Sequence, residues 1–365
     1  MTKRLYLLVS TLLLLGACND TPLEVSQGAS SPIAEHRVKH GASGVTVMTQ
    51  NLYVGADVDL VIGALRTDDP SDDLPALQFA IETLGKTDFP ARAAAIADEI
   101  ARTRPHAVGL QEVSQIDIDL GGFDGPTVHL DFMAILQAAL ARRGLHYPVA
   151  VDVQNVDVKL LGGLVSLVDR DALLVDEDRV RVTAASGQNF ATNVGPIPGT
   201  PVSLIRGWVW ARVRIDGAPY TIASLHAEAD LGGEQLGLLR AAQLTEVVAT
   251  LAGDERVIIV GDFNDAEGSP MYQVVTGAGF ADVWREMRPG TLGLTCCHPA
   301  DLSNQTAGFS QRIDYVFARG LGSGPRGTLF GKIDRFGEVP SDRVAGPAHP
   351  IWPADHVGLV ASLRQ

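Results

Sequence analysis

The sequence predicts an α/β fold, with strands and helices following one another along the chain. Three observations predict it. Val257-Ile-Ile-Val260 is an unbroken run of β-formers closed by Gly261, the pattern of a short strand buried on both faces. Residues 45–52, 91–103 and 106–112 read in turn as an alternating strand, a helix with Ala93, Ile96, Ala97 and Ile100 on one face, and a second strand. Amphipathic stretches at 131–143 and 234–251 fall between further extended runs.

Taken from the amino terminus, residues 1–18 read as an export leader. Lys3 and Arg4 precede a mostly apolar run, Leu5 to Leu15, shorter than the span of about 20 residues that crosses a bilayer. Leu15-Gly-Ala-Cys18 resembles a bacterial lipobox, which makes Cys18 the lipidated first residue of an exported protein held to the cell envelope by a lipid anchor. Residues 19–44 are rich in Ser, Pro, Gln and Gly and read as a flexible tether.

A single domain is expected over 45–365, since no boundary or internal repeat interrupts it. Residues 55–90 form an acidic, loop-rich insertion with a helix at 74–84. Pro90 opens the 91–103 helix and Pro105 stops it. Residues 145–153 are extended, Gly162-Gly163 marks a turn, and 172–175 is a short strand. Residues 205–215 and 219–226 read as a hairpin around Asp216-Gly217. Beyond the 257–260 strand come 279–284, an irregular segment at 288–310 and a strand at 312–319. A Gly/Pro-rich loop at 320–350 leads to a closing strand at 357–363.

Composition narrows the class. With 46% hydrophobic and 20% charged residues, the chain can bury a core. Its net charge of −14 gives no general attraction to nucleic acid or anionic lipid, although a local basic patch and a metal would still allow a nuclease. Cys18, Cys296 and Cys297 make neither a disulfide framework nor a zinc spacing. The adjacent pair is open to a strained vicinal disulfide or to two free thiols. Trp208, Trp210 and Trp284 are read as core packing, Arg312 as support for its strand, and Asp57 and Asp59 as a solvated loop.

Seven polar groups fall at or beside strand ends: Asn51, Glu112, His226, Asp262, Asn264, Asp314 and His356, with Asp355 next to the last. Singly, each has an ordinary role as a cap, a turn or a hydrogen-bonded core residue. Asp262 and Asn264 stand at i and i+2, so an extended backbone points both the same way, which suits a hard cation and a phosphate. The stretches Thr49-Gln-Asn51, Leu110-Gln-Glu112, Ser224-Leu-His226, Gly261-Asp-Phe-Asn264, Arg312-Ile-Asp-Tyr-Val-Phe317 and Ala354-Asp-His356, in that order, resemble the endonuclease/exonuclease/phosphatase superfamily. Ala354 departs from the Ser or Thr that many members carry there.

The resemblance implies a four-layer α/β sandwich of deoxyribonuclease-I type, two mixed sheets flanked by helices, in a monomeric hydrolase of phosphodiester bonds. It implies Mg²⁺, or Mn²⁺, held by Glu112 with Asn51 and Asp355, because hard cations take oxygen ligands. His356 is the expected general base, its tautomer fixed by Asp314. His226 would donate to the phosphate or leaving group, with Asp169 or Asp171 as its acidic partner. Asp262 and Asn264 would orient water and the phosphoryl oxygens. Ser310-Gln-Arg-Ile-Asp314 lacks the Trp-Cys-Asp-Arg signature of the inositol-polyphosphate branch. Nucleic acid, a lipid headgroup or a small molecule remain as substrates, with a sphingomyelinase-like phospholipase C and an inactive surface binding protein as the alternatives.

Overall fold

The computed structural model describes residues 44–364, except 68, 70, 124, 201, 230–233 and 323–328. The leader with Lys3, Arg4 and Cys18, the tether up to residue 43, and the Asp59 side chain lie outside the described residues. Two sheets stack face to face. The larger runs in the order Phe330–Phe336, Gly358–Arg364, Gly44–Asn51, Ala107–Gln111, Val165–Val175, Gln115–Asp119 and Thr127–Asp131, with Val149–Leu160 also paired to Val165–Val175. The smaller runs Ala281–Asp282, Asp314–Arg319, Val257–Asp262, Ala218–His226, Gly207–Ile215 and Val180–Asn189.

Each sheet contains a parallel pair: Gly44–Asn51 beside Ala107–Gln111, and Ala218–His226 beside Val257–Asp262. These central strands are buried on both faces, which is why they read as nearly continuous apolar runs. Ile258 and Val260 face Val47 and Leu173 of the other sheet, while Val257 and Ile259 pack under Leu244 and Val247 of the Glu234–Thr250 helix. On the far side, Met48, Val108 and Leu174 pack under the Phe89–Thr103 and Phe132–Ala141 helices. The layers are therefore helix, sheet, sheet, helix, as the resemblance implies. No helix among the described residues is long and apolar enough to cross a membrane.

Several elements differ from the expectations. The 55–90 insertion holds two helices, Val58–Leu65 and Asp73–Leu84, in place of one. The first is a short helix of eight residues, and Asp57, expected in a solvated loop, caps it by accepting from the Leu60 N–H at 3.0 Å. The short strands expected at 145–153 and 172–175 are parts of a long hairpin, Val149–Leu160 and Val165–Val175. Phe330–Phe336, expected in a loop, is an edge strand on Gly358–Arg364. Three of its seven residues are exposed and Ile333 is buried; its apolar residues Phe330, Ile333 and Phe336 stand three apart, so no strand alternation shows.

Two glycines set how closely the strands approach. A Cβ at Gly109 would lie 2.5 Å from Ser224 Oγ and 2.6 Å from Val260 Cγ2 of the facing sheet. Gly261, with φ +145°, brings the end of its strand against Leu225, whose carbonyl oxygen a Cβ would meet at 2.1 Å.

Arg92, fully buried on the Phe89–Thr103 helix, draws the loops together. It donates to the carbonyls of Thr87 at 2.6 Å, Tyr53 at 3.0 Å and Pro353 at 3.3 Å, and also to Leu52. Thr87 Oγ1 in turn donates to the Gly55 carbonyl at 2.9 Å, closing the neck of the insertion. Gly109→Ala should cost about 1–3 kcal/mol by overpacking the sheet interface. Urea unfolding measures that as a lower midpoint, and an unchanged midpoint would show that the sheets have room to spare.

Candidate active site

The polar strand ends converge because the central strands of both sheets end on the same side. Asn51 closes the first strand, and its parallel neighbour Gln111 is followed directly by Glu112. In the smaller sheet His226 pairs with Asp262, and Asp262 with Asp314, so the three stand in one rung. Asp355 and His356 come from the turn before the last strand. Gln111 Nε2 donates to Ser224 Oγ at 2.9 Å, tying the two sheets together just below this edge.

The side chains form a connected network. Asn51 Nδ2 donates to Glu112 Oε1 at 3.0 Å and to Asp262 Oδ2 at 3.2 Å, joining the two sheets' acids. Glu112 Oε2 accepts from the Val54 N–H at 2.7 Å. Glu112 and Asn264 have φ +55° and +51°, a conformation Asn tolerates but one that costs most other residues of order 1–2 kcal/mol. At Glu112 it turns the carboxylate out of the strand and into the cleft. His356 Nδ1 donates to Asp314 Oδ2 at 2.9 Å, and Asp262 Oδ2 lies 3.7 Å from both His356 Nδ1 and His226 Nε2. Asn264 donates through its backbone N–H to Asp262 Oδ1 at 2.9 Å.

Of Asp169 and Asp171, either of which the sequence leaves open as the partner of His226, neither is hydrogen-bonded to it. Asp169 accepts from Ser114 Oγ at 2.9 Å, and Asp171 accepts from Asn155 Nδ2 at 2.7 Å. Asp171 is the carboxylate near His226, at 3.7 Å from Nδ1, beyond hydrogen-bond reach. The partner of that nitrogen is Arg206, whose Nη1 donates at 3.2 Å. Nδ1 therefore accepts and Nε2 carries the proton.

The electrostatics follow from crowding acids in a buried site. Burial, with the repulsion of Asp171, pushes Asp169 up to about 7. Burial pushes Asp171 up to about 7 as well, and burial with Glu112 does the same to Asp355. Glu112 stays below the usual carboxylate range because His226, the Asn51 amide, His356 and the Val54 N–H outweigh its burial. Burial and Arg206 pull the His226 pKa below its ordinary value, against the fields of Asp262, Glu112 and Asp169. Burial opposes the charge on His356, yet Asp314, Asp355 and Asp262 outweigh it and hold the imidazole well above its ordinary value.

This donor set fits a divalent cation. Glu112, Asp355 and Asn51 offer hard oxygens, and Asp355 Oδ1 is buried with no hydrogen-bond partner among the described residues. Asp262, Asp314 and His356 also bring one donor atom each within 4.8 Å of one another. There, however, the Nδ1–H is already given to Asp314, the arrangement of a proton-handling pair. Cys296 and Cys297 are joined to each other as a disulfide, and Cys297 Sγ lies 4.0 Å from His356 Nε2.

Arg206, Glu228 and Arg92 were missed by the sequence reading. Arg92 left a signal, standing four residues before Ile96 on an otherwise apolar helix face. Arg206 and Glu228 sit in loops without a period and left none. Arg312 has the supporting role expected, bound to Asp282 at 2.7 Å and Glu267 at 2.9 Å. Trp208 and Trp284 are buried in the cores.

A sequence model of the endonuclease/exonuclease/phosphatase family matches residues 48–356. No curated protein matches the chain. Among solved structures, a mannosyl-6-phosphatase of Bacteroides thetaiotaomicron is similar at 17% identity and TM-score 0.54, over 88% of this chain and 100% of that one. An endonuclease/exonuclease/phosphatase from Beutenbergia cavernae shares 19% identity with TM-score 0.56, over 88% of this chain and 72% of that one. D. rerio TDP2 complexed with a single-strand DNA product shares 16% identity with TM-score 0.52, over 88% and 100%. At these identities the likeness is one of fold.

Arg206→Met should raise the His226 pKa, since the guanidinium is one of the two forces holding it down. It should also cost about 3–5 kcal/mol, because Glu228 and Asp171 lose their buried cation. NMR titration of the imidazole and urea unfolding read the two effects, and an unmoved His226 titration would remove Arg206 from the site.

Proposed function

This chain belongs to the endonuclease/exonuclease/phosphatase family of metal-dependent phosphoric ester hydrolases, and from that premise we propose that it hydrolyses phosphodiesters with water activated by His356 and Asp314. The observation that carries this reading is the 2.9 Å bond from His356 Nδ1 to Asp314 Oδ2, in the same cleft as Glu112 and Asp355. Asp314 fixes the tautomer, leaving His356 Nε2 to take the proton of the attacking water. Asp262 and Asn264 hold that water and the phosphoryl oxygens. His226, neutral and protonated on Nε2, donates to an oxygen of the reacting phosphate.

Glu112, Asp355 and Asn51 are the residues that would hold Mg²⁺, with Mn²⁺ as the other candidate. When bound, such an ion supplies a Lewis acid for the phosphoryl oxygens and the leaving oxygen. A cation held there would also weaken one of the three carboxylate fields, those of Asp314, Asp355 and Asp262, that hold the His356 imidazole above its ordinary value. A diester suits the cleft better than a monoester. Arg206 is the single Lys or Arg among its described lining residues, and a diester brings one negative charge where a monoester brings up to two.

Residues 1–18 support a second part of the reading, that the protein is exported and anchored through Cys18. In a bacterial host, Cys18→Ser should move the protein from the membrane fraction to the soluble fraction. Equal partition of the variant and the parent would end that assignment.

The purified protein should turn over bis-p-nitrophenyl phosphate with Mg²⁺ or Mn²⁺ and stop in EDTA. Glu112→Ala and His356→Ala should each lower kcat by about 10²–10⁴-fold while circular dichroism stays unchanged. Metal-independent turnover, or full activity in either variant, would refute the assigned roles.

A further inference from the structure

We propose that, granted phosphodiester hydrolysis at these residues, the cleft continues beyond them as a binding site for an aliphatic chain, so that the substrate is an amphiphilic phosphodiester. One cleft of about 540 Å³ holds both the catalytic groups and a long run of aliphatic side chains. Its floor is made by strands that are polar at the catalytic end and, Ser166 apart, aliphatic away from it. Alternate residues on a strand share a face. Ser114 is thus followed outward by Ile116 and Ile118, and beside them Asp169 is followed by Leu167 and Val165. The register sets Ile116 against Leu167 and Ile118 against Val165. Val156, Val158 and Leu160 continue the floor on the next strand, with Val158 against Leu167. A row of four residue steps spans about 13 Å at ~3.3 Å per residue, the length of a medium-chain alkyl group.

The two helices of the 55–90 insertion form the opposite wall, through Val61, Ile62 and Leu65 on one and Leu77, Ala80 and Ile81 on the other. This arm carries no aromatic ring and no Lys or Arg among its described lining residues. A nucleic acid would need rings to stack bases and cations to follow the backbone. An aliphatic chain needs neither and gains from every apolar contact. The same wall elements expose Leu60, Leu74 and Phe79, and the turn between the floor strands exposes Leu161. Apolar surface around the groove's walls is what an amphiphile's chain meets before it enters.

The test is a series of alkyl p-nitrophenyl phosphates, methyl, butyl and octyl, which share one leaving group and one charge. Dispersed below the concentration at which they aggregate, they should show kcat/KM rising at least about 30-fold from methyl to octyl. That is well within the roughly fourfold per methylene expected for full burial. Ala80→Trp, which fills the groove, and Leu167→Asn, which makes its floor polar, should each erase most of that gain and leave the methyl ester unchanged. A flat series with an active methyl ester overturns the groove and leaves the phosphodiesterase reading standing. A gain seen with the octyl ester in phosphatidylcholine vesicles, and absent in dispersion, assigns the effect to membrane adsorption and also overturns the groove. Calorimetry in EDTA separates the two readings from the other side. There octyl phosphate should bind at least about tenfold more tightly than inorganic phosphate. If it does while no ester is hydrolysed, the groove stands and the hydrolysis reading falls; equal binding of the two overturns the groove.

Discussion

The close approach of the two sheets at Gly109 is the constraint on which the remaining structure depends. Ser224 Oγ and Val260 Cγ2 occupy the space a β-carbon would need there. Two residues on, Gln111 bonds across to Ser224, and one residue further the chain turns out as Glu112. Any widening of the interface at this level would carry Glu112 and Asn51 away from Asp262, and the 3.2 Å bond that joins the two sheets' acids would fail. The geometry of the candidate site is thus a property of sheet packing, set several residues below the groups that line the cleft.

The same packing concentrates negative charge. Glu112, Asp262, Asp314 and Asp355, with Asp169 and Asp171 behind them, share one edge with two histidines and Arg206; Glu112, Asp355 and Arg206 are half-buried and the others buried. Burial, with the neighbouring acids adding to it, pushes the pKa values of Asp169, Asp171 and Asp355 up to about 7. A fold that used these groups for stability alone would gain by replacing them with apolar residues. Their retention is accounted for by a cationic ligand and by proton handling, the needs of phosphoric ester hydrolysis.

The framework was legible because its central strands are buried on both faces and stop at polar residues. Val257 to Val260 followed by Asp262 and Asn264 is the clearest case, and Asn51, Glu112 and His226 repeat it. Elements held by backbone pairing at an edge, such as Phe330–Phe336, left no strand alternation to read. Arg206 escaped for a related reason: its role depends on what lies across space from a loop, and no local pattern encodes that. Asp169 and Asp171 share one face of their strand, so nothing local tells that Ser114 and Asn155 engage them and that His226 bonds Arg206 instead. The aliphatic arm of the cleft was hidden in the same way, since its walls come from segments about 40 to 140 residues apart that are unremarkable singly.

The neck of the 55–90 insertion has a further consequence. Thr87 clasps Gly55, and Arg92 pins the carbonyls on either side of that clasp to the turn that carries Asp355. The two helices therefore hang from a closed ring, as a pendant does from its setting. The stretch of cleft wall that they supply is thus tethered at one point, the same ring that steadies the Val54 N–H bonded to Glu112 and the turn carrying Asp355.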